Sequence, residues 1–280
     1  MPIATFRQGQ EVEGVFACTR KDRLMSRAGT PYLAVELRDR TGAVQGRAFR
    51  DADVLAGRFD RGDLVRVAGR VERFRDELQV ELRAIGRAAD DEADPASFLP
   101  VAYRDLDELD GFLEHLIREV HDTDLRDWLR AVFGDAALRA DFRRAPCTRA
   151  GHHAYLGGLL EHTVAVGTLA LETCLLHPRL NSDVLVTAAL LHDLGKTREF
   201  TYGAEIGLSD EGRLIGHVAS GVAMIEARAG SVPDPKRLAV VHCVLAHHGD
   251  GRFQSPEALA LHRINALEAG VKQALEHGIG

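Results

Sequence analysis

The chain has 280 residues, of which 45% are hydrophobic and 28% are charged, and its formal net charge is −7 at pH 7. These values are typical of a soluble globular protein of one large or two ordinary domains, and the acidic balance disfavours strong nonspecific binding to duplex nucleic acid. The N-terminus has no apolar signal region and no run approaches membrane-spanning length, so we expect a cytoplasmic protein that does not engage a membrane.

Charge and histidine are unevenly distributed along the chain. Residues 1–87 carry 17 Lys and Arg against 13 Asp and Glu, residues 88–280 carry 18 against 29, and all 13 histidines lie at or beyond His115. This asymmetry predicts two domains with different partners, over 1–87 and 105–280, joined by an acidic linker over 88–104. The cysteines form no Cys-x-x-Cys pair, so we interpret them as buried or idle thiols in a reducing compartment. They are Cys18, Cys147, Cys174 and Cys243.

The first domain is predicted to be all-β. Apolar and polar residues alternate over five short stretches, with one short helical segment at 51–59, which indicates a small Greek-key barrel. This part of the chain resembles the OB-fold of the tRNA-anticodon-binding type. The resemblance is carried by Gly29–Leu33, by Leu37–Gly42, and by Gly69–Val71 followed by Leu78–Val80.

Barrels of this kind bind single strands through aromatic stacking and cationic side chains. For Phe49 a place in the core is the commoner alternative, and for each arginine a solvated surface position. The candidate contact residues are Tyr32, Phe49, Phe74, Arg38, Arg47 and Arg73.

The apolar period becomes helical from Asp105 onward, which predicts an all-α second domain. One predicted apolar stripe contains Leu109, Phe112, Leu113, Leu116 and Val120. The next contains Leu125, Trp128, Leu129, Val132 and Phe133.

An imidazole and a carboxylate stand side by side at His192 and Asp193, where an apolar helix over 184–191 ends. Ser182 is the expected N-cap of this helix, and Gly195 is expected to stop it in the left-handed conformation. Side chains on a fraying last turn can converge, so one ion could reach both His192 and Asp193.

Four further histidines occupy similar places on three other helices. His162 lies on an apolar stripe, His217 starts a helix beside small residues, and His247 and His248 end a helix before Gly249. Burial of so many titratable groups without partners is costly, and a shared ion removes that cost. Imidazole and carboxylate ligands suit divalent Mn, Fe, Mg, Co or Zn, and six groups exceed the needs of one open catalytic ion, so we predict a two-ion centre.

These histidines, the His192-Asp193 pair and the segment Gly157–Thr163 resemble the HD-domain metal-dependent phosphohydrolases. With the preceding barrel, residues 10–270 resemble the YhaM-type 3′-to-5′ exoribonuclease family. The resemblance implies an OB-fold barrel followed by an HD-domain helical bundle, manganese-type metal dependence, and stepwise removal of nucleotides from the 3′ end of single-stranded RNA or DNA.

One position departs from the HD pattern, which places a ligating aspartate on the last helix. Here that position is Asn265, whose neutral amide oxygen is a weaker ligand than a carboxylate, and Glu268 lies three residues further on the same helix face. Either Asn265 or Glu268 completes the site, or the site is weakened or lost; we favour retained activity because the other ligand positions are intact.

The expected catalytic residues are His192, Asp193 and Lys196. Bound ions would activate water and neutralise phosphoryl charge, and Lys196 would contact a substrate phosphate, with an ordinary surface lysine as the alternative. Four residues are candidates for substrate binding near the site: His152, His153, Tyr155 and Arg213.

Two other functions stay open. The chain could hydrolyse a nucleotide or signalling dinucleotide, with the barrel serving regulation or assembly into a homo-oligomer. It could also be an OB-type nucleic-acid-binding protein with a degenerate, structural metal site.

Overall fold

The structure, a computed structural model, describes residues 2–26, 29–89, 92–249 and 253–278. The chain divides into two compact units, Met1–Pro100 with Tyr202–Gly207, and Val101–Thr201 with Leu208–Gly280. Asp90 and Asp91 of the predicted linker lie outside the described residues. Each unit has its own hydrophobic core.

The first unit contains β1 (Glu11–Met25), β2 (Pro31–Asp39), β3 (Gly42–Ala48), a short helix α1 (Ala52–Ala56), β4 (Leu64–Phe74) and β5 (Glu77–Arg87). The five strands close into a barrel in the order β1-β2-β3-β5-β4. The β3–β5 pair is parallel and the other pairs are antiparallel. This order, with a helix between the third and fourth strands, confirms the predicted OB-fold barrel.

The barrel core follows from the alternation in the sequence. In β4, Val65 and Val67 are buried whereas the intervening Arg66 is exposed, because successive side chains of a strand point to opposite faces. Gly69 lies at a register shift between β4 and β5, where a Cβ would come within 2.3 Å of the Glu81 carbonyl oxygen. Glycine therefore allows the two strands to approach closely at this point.

The second unit is helical, as predicted. Its helices are α2 (Leu106–Glu119), α3 (Thr123–Phe133), α4 (Ala136–Arg144), α5 (Gly158–Leu176), α6 (Ser182–Leu191), α7 (Lys196–Glu199), α8 (Asp210–Leu214), α9 (His217–Glu226), α10 (Asp234–Ala246) and α11 (Pro256–His277). Between α7 and α8 the chain forms a hairpin of β6 (Phe200–Tyr202) and β7 (Ile206–Leu208), of which Tyr202–Gly207 belong to the first unit. Each of its strands has only three residues, which is too short to show an alternating pattern in the sequence.

Polar side chains cap several of these helices. Asp122 accepts hydrogen bonds from the backbone N–H groups of Asp124 and Leu125 at the start of α3. The cap of α6 is Asn181, which accepts a bond from the Val184 N–H at 3.1 Å. The prediction of Ser182 as this cap was wrong by one residue, since Ser182 already has a place within the helix and asparagine caps equally well.

Helices α5 and α6 provide much of the core of the second unit, and every residue of α6 from Val184 to Leu191 is buried. The predicted stripe on α3 is confirmed, and its Trp128 donates a hydrogen bond to the Ile225 carbonyl at 2.9 Å. The stripe on α2 is confirmed except at Phe112, which is 41% exposed and carries the Arg104 guanidinium over its ring.

The expectation that no run approaches membrane-spanning length was wrong for α5. This helix has 19 residues and is apolar enough to cross a bilayer by length and composition. Half of the residues in its most apolar 18-residue stretch are buried inside the protein. A core helix of a soluble protein can have the same length and composition.

Candidate metal centre

The carboxylate of Asp193 lies where four helices bring their histidines together. His162 comes from the first turns of α5 and His192 directly follows α6. His217 begins α9, and His247 with His248 follows α10. The sequence prediction that these residues converge is therefore met by the fold.

One oxygen of Asp193 faces the first pair of histidines. Asp193 Oδ2 lies 3.2 Å from His192 Nε2 and 3.6 Å from His162 Nε2, and these two nitrogens are 3.3 Å apart. The three residues are almost completely buried. We call His162, His192 and Asp193 the first half of the centre.

The other oxygen faces a second group. Asp193 Oδ1 lies 3.5 Å from His217 Nε2 and 3.5 Å from His247 Nε2. His248 Nε2 is 2.9 Å from His217 Nε2, and the donor atoms of this group lie within 4.8 Å of one another. We call Asp193, His217, His247 and His248 the second half, so the two halves share one carboxylate.

Backbone carbonyls turn the coordinating edge of two rings toward the centre. His192 Nδ1 bonds to the Ala189 carbonyl at 2.8 Å, and His247 Nδ1 bonds to the Val244 carbonyl at 2.6 Å. A carbonyl only accepts, so each Nδ1 carries the proton and each Nε2 presents a lone pair. This is the tautomer that a metal ligand requires.

Two of the atoms that face the centre are buried acceptors. Asp193 Oδ1 and His247 Nε2 are buried and lack a hydrogen-bond partner within the described ranges. Orphaned acceptors that face one another in a dry site are costly, and a shared cation offsets that cost. The residues present therefore fit divalent metal ions.

The protonation states of the candidate ligands also favour the binding of metal ions. Burial lowers the pKa of His162 and His247, and burial next to His247 lowers the pKa of His248 to about 3. Burial acts to raise the pKa of Asp193, but Lys196 and His192 outweigh it and hold the value well below the ordinary one. Neutral imidazoles and an ionised carboxylate are the forms that bind metal.

Gly195 does not adopt the left-handed conformation predicted for it, since its φ is −63°. A Cβ there would lie 2.0 Å from the His217 carbonyl oxygen and 2.6 Å from the Gly221 nitrogen. The glycine is needed because α9 packs directly on this turn. Its absent side chain thus lets His217 approach Asp193.

Lys196 is not an exposed surface lysine. It is 6% exposed, and its Nζ lies 2.8 Å from Asp193 Oδ2 and 3.3 Å from Cys147 Sγ. Burial acts to lower the pKa of Lys196, but Asp193 outweighs it and raises the value, so the lysine is charged. Its role in catalysis stays a prediction.

Glu268 contacts two histidines on the first-half side. Its Oε2 lies 2.5 Å from His162 Nδ1, and its Oε1 lies 2.8 Å from His153 Nε2. Burial acts to raise the pKa of Glu268, but the bonds from these histidines lower it to about 2. In this arrangement Glu268 orients His162 rather than facing the centre. Asn265, one turn earlier on α11, is partly buried, and its role as a ligand stays a prediction.

The predicted substrate-binding residues of this unit differ in their burial and in their contacts. His153 is buried at a positive φ of 50°, and its Nδ1 is 2.8 Å from the Tyr155 hydroxyl, which donates to Glu161. His152 is only partly buried, and its ring lies 5.2 Å from that of His162. Arg213 is exposed on α8 and pairs with Asp210.

The barrel presents an aromatic and cationic surface. The rings of Tyr32 and Phe49 stack at 5.2 Å, and the Arg47 guanidinium lies 5.9 Å from Tyr32 and 5.2 Å from Phe74. Phe49 is 46% exposed, so the alternative that it belongs to the core is wrong. Two further candidates are exposed elsewhere on the strands, Arg38 on β2 and Arg73 on β4.

The sequence did not place Cys147 in the site and predicted only a buried or idle thiol. The thiol is 1% exposed and lies 3.8 Å from Asp193 Oδ2. No spacing signal could have shown this, since Cys147 lies in the irregular segment between α4 and α5, 46 residues before its neighbour in the site.

Comparison with known proteins finds one family match in each of the two units. The HD domain family matches residues 159–270, and the OB-fold nucleic acid binding domain family matches residues 15–85. The 3′-5′ exoribonuclease YhaM of Listeria welshimeri is 26% identical over 278 residues, covering 96% of this chain and 88% of that protein. The YhaM proteins of Bacillus pumilus (27% identity, 98% and 91%) and Halalkalibacterium halodurans (25%, 95% and 86%) are similar in extent. Among solved structures, the second OB-fold domain of replication protein A from Methanococcus maripaludis matches 34% of this chain and 98% of its own, with 19% identity and a TM-score of 0.25.

Proposed function

We propose that this chain, a relative of the YhaM 3′-5′ exoribonucleases with an OB-fold nucleic-acid-binding domain followed by an HD domain, is a metal-dependent 3′-to-5′ exoribonuclease of single-stranded RNA. The observation that carries the proposal is the convergence of five histidines on the buried, partly unpaired carboxylate of Asp193. Metal-dependent hydrolysis of a phosphodiester uses such a set of imidazole and carboxylate donors, whereas binding of a strand by the barrel does not require it.

We propose two ions, with manganese as the first candidate because nitrogen and oxygen donors dominate the set. The first half would hold one ion and the second half the other, with Asp193 shared. Bound divalent ions supply an activated water at neutral pH and neutralise charge that develops on the phosphoryl group.

The residues around the ions would hold and orient the reacting groups. Glu268 fixes the ring of His162, and Lys196 fixes the carboxylate of Asp193. The Lys196 ammonium has three donors, of which Asp193 and Cys147 take two, so one donor is left for a substrate phosphate. Burial and the neighbouring His162 lower the pKa of His152 to about 4, so His152 is neutral and offers the substrate a hydrogen bond without adding charge.

The barrel would bind the strand upstream of the end that is cut. Tyr32 and Phe49 offer a π-face on which a base can stack, and Arg47 beside them can contact the phosphate backbone. Stacking of this kind accepts any base, which suits an exonuclease that removes nucleotides one after another from strands of any sequence. It accepts DNA as well as RNA, so single-stranded DNA is a second substrate to be tested.

The test is degradation of a single-stranded RNA labelled at its 5′ end, with manganese, by the full chain. We expect a ladder of labelled products shortened from the 3′ end, and no products from His192→Ala. His115→Ala is the matched control, since His115 is an exposed histidine of α2 whose neighbour is Glu119.

Full activity of His192→Ala would reject the assignment of the centre. Cleavage of a mononucleotide or a dinucleotide with no shortening of the oligonucleotide would instead support the alternative of a small-molecule phosphohydrolase.

A further inference from the structure

Cys147 is a buried thiol at the metal centre that the proposed function does not use. Its sulfur, a donor atom of His162 and an oxygen of Asp193 all lie within 4.8 Å of one another. The other cysteines, Cys18, Cys174 and Cys243, belong to no such group within the described ranges.

The distances suit coordination of one ion by these groups. Ligands that each lie ~2.0–2.3 Å from one ion are at most about 4.6 Å apart. Donor atoms within 4.8 Å therefore need only small shifts to share an ion. The first half contributes just two imidazoles and one carboxylate, so a thiolate would bring it to four ligands.

The surroundings of the sulfur favour its negative charge once an ion is bound. Lys196 Nζ lies 3.3 Å from the sulfur and can donate to it, and a nearby ammonium stabilises a thiolate. The Cys147 thiol donates a hydrogen bond to Asp193 Oδ2 at 3.8 Å. On ligation the sulfur forms a bond to the ion and its proton leaves to solvent, so the step needs no oxidant or reductant.

A second observation points to a ligand at this place. His162 and His192 are fully buried, and the Nδ1 of each bonds to an acceptor, Glu268 Oε2 for His162 and the Ala189 carbonyl for His192. Their Nε2 atoms therefore both present lone pairs, yet these atoms face each other at 3.3 Å. A cation beside Cys147 would resolve this contact.

We propose that Cys147 ligates the ion of the first half, together with His162, His192 and Asp193, and that this half therefore selects zinc, cobalt or ferrous iron over manganese or magnesium. The inference rests on the metal centre of the proposed function and deepens it. Thiolate is a soft ligand that magnesium and manganese disfavour, whereas the second half has only imidazole and carboxylate donors. The two halves would then differ in metal preference, and manganese stays the first candidate for the second half only.

The experiment is a titration of the reduced, metal-free full chain with cobalt(II) in the absence of oxygen, followed by absorption spectroscopy. We expect a sulfur-to-cobalt charge-transfer band in the near ultraviolet together with the visible bands of bound cobalt. Cys147→Ser should lose the charge-transfer band completely and keep the visible bands of the second half. Cys174→Ser, which alters a buried cysteine at the far end of α5, should keep both.

Visible cobalt bands without a charge-transfer band in the unaltered protein, or a band that persists in Cys147→Ser, would overturn the role of Cys147 and leave the exonuclease proposal intact. No cobalt binding at all would overturn both. If Cys147→Ser does not fold, X-ray absorption of the unaltered protein with one equivalent of zinc decides. One sulfur neighbour at ~2.3 Å supports the proposal, and a shell of nitrogen and oxygen alone overturns it.

Discussion

Gly195→Ala tests how the turn after His192 and Asp193 builds the centre. The added Cβ would lie 2.0 Å from the His217 carbonyl oxygen and 2.6 Å from the Gly221 nitrogen. Both neighbours are backbone atoms of α9, so a side-chain rotation cannot relieve the contact. The helix has to move away from the turn, and His217 moves with it.

The size of the effect follows from these distances. Real Cβ atoms approach other atoms to no less than 3.0 Å, so the gap at His217 must open by about 1 Å. Overpacking of this kind costs ~1–3 kcal/mol of unfolding free energy. For a domain of this size Tm falls by ~2–4 °C per kcal/mol. Because His217 Nε2 is only 3.5 Å from Asp193 Oδ1, the shift also removes a ligand from the second half, and we expect one of the two ions to bind at least ~10-fold more weakly.

The assay is a pair of measurements on the full chain, thermal unfolding without metal and calorimetric titration with manganese. Gly270→Ala is the matched control, since a Cβ at that position of α11 meets nothing within 4 Å. In an exposed helix this control should raise stability by ~0.5–1 kcal/mol and leave metal binding unchanged. If Gly195→Ala behaves like Gly270→Ala in both measurements, the account of this turn is wrong.

Three further predictions concern the surroundings of the centre and the barrel. Glu268→Gln should weaken metal binding ~10–100-fold by releasing the His162 ring, and unchanged affinity in calorimetry would contradict its positioning role. The metal-free protein should lose unfolding free energy as the pH falls below ~6.5. Burial lowers the pKa of His152 to about 4 and that of His248 to about 3, so the unfolded chain binds more protons than the folded chain in this pH range. Denaturant titrations that show no loss of unfolding free energy between pH 7 and pH 5 would refute this. Phe49→Ala should weaken binding of single-stranded RNA by ~1–3 kcal/mol in fluorescence anisotropy, whereas equal binding by variant and unaltered protein would remove Phe49 from the interface.

Regular patterns in the sequence predicted the parts of the fold that depend on periodicity. Alternation predicted the five barrel strands, and helical spacing predicted the buried face of α3. The histidines of the centre were predicted because they stand at helix ends or on apolar faces, where burial without a partner is costly. The resemblance to known families added the order of the domains.

Features that depend on tertiary contact could not be predicted in this way. Gly195 was predicted to end the helix in the left-handed conformation, because sequence rules consider only the backbone of the glycine itself. The structure shows that glycine is required there by the close approach of the His217 carbonyl oxygen. Lys196 follows a helix end, yet the fold buries it between Asp193 and Cys147. Phe49 is a large apolar residue, for which a core position is the commoner expectation, but it follows the inward-facing Ala48 and its ring lies outside the barrel against Tyr32.

Hydrolysis of 5′-labelled RNA by Asp193→Asn, measured beside the unaltered protein with manganese, tests the central claim most directly. The substitution keeps the shape of the side chain and removes the negative charge that both halves of the centre share. We predict that the variant releases no more nucleotide than the unaltered protein does after chelation of its metal. Shortening of the RNA by Asp193→Asn at the rate of the unaltered protein would contradict the account.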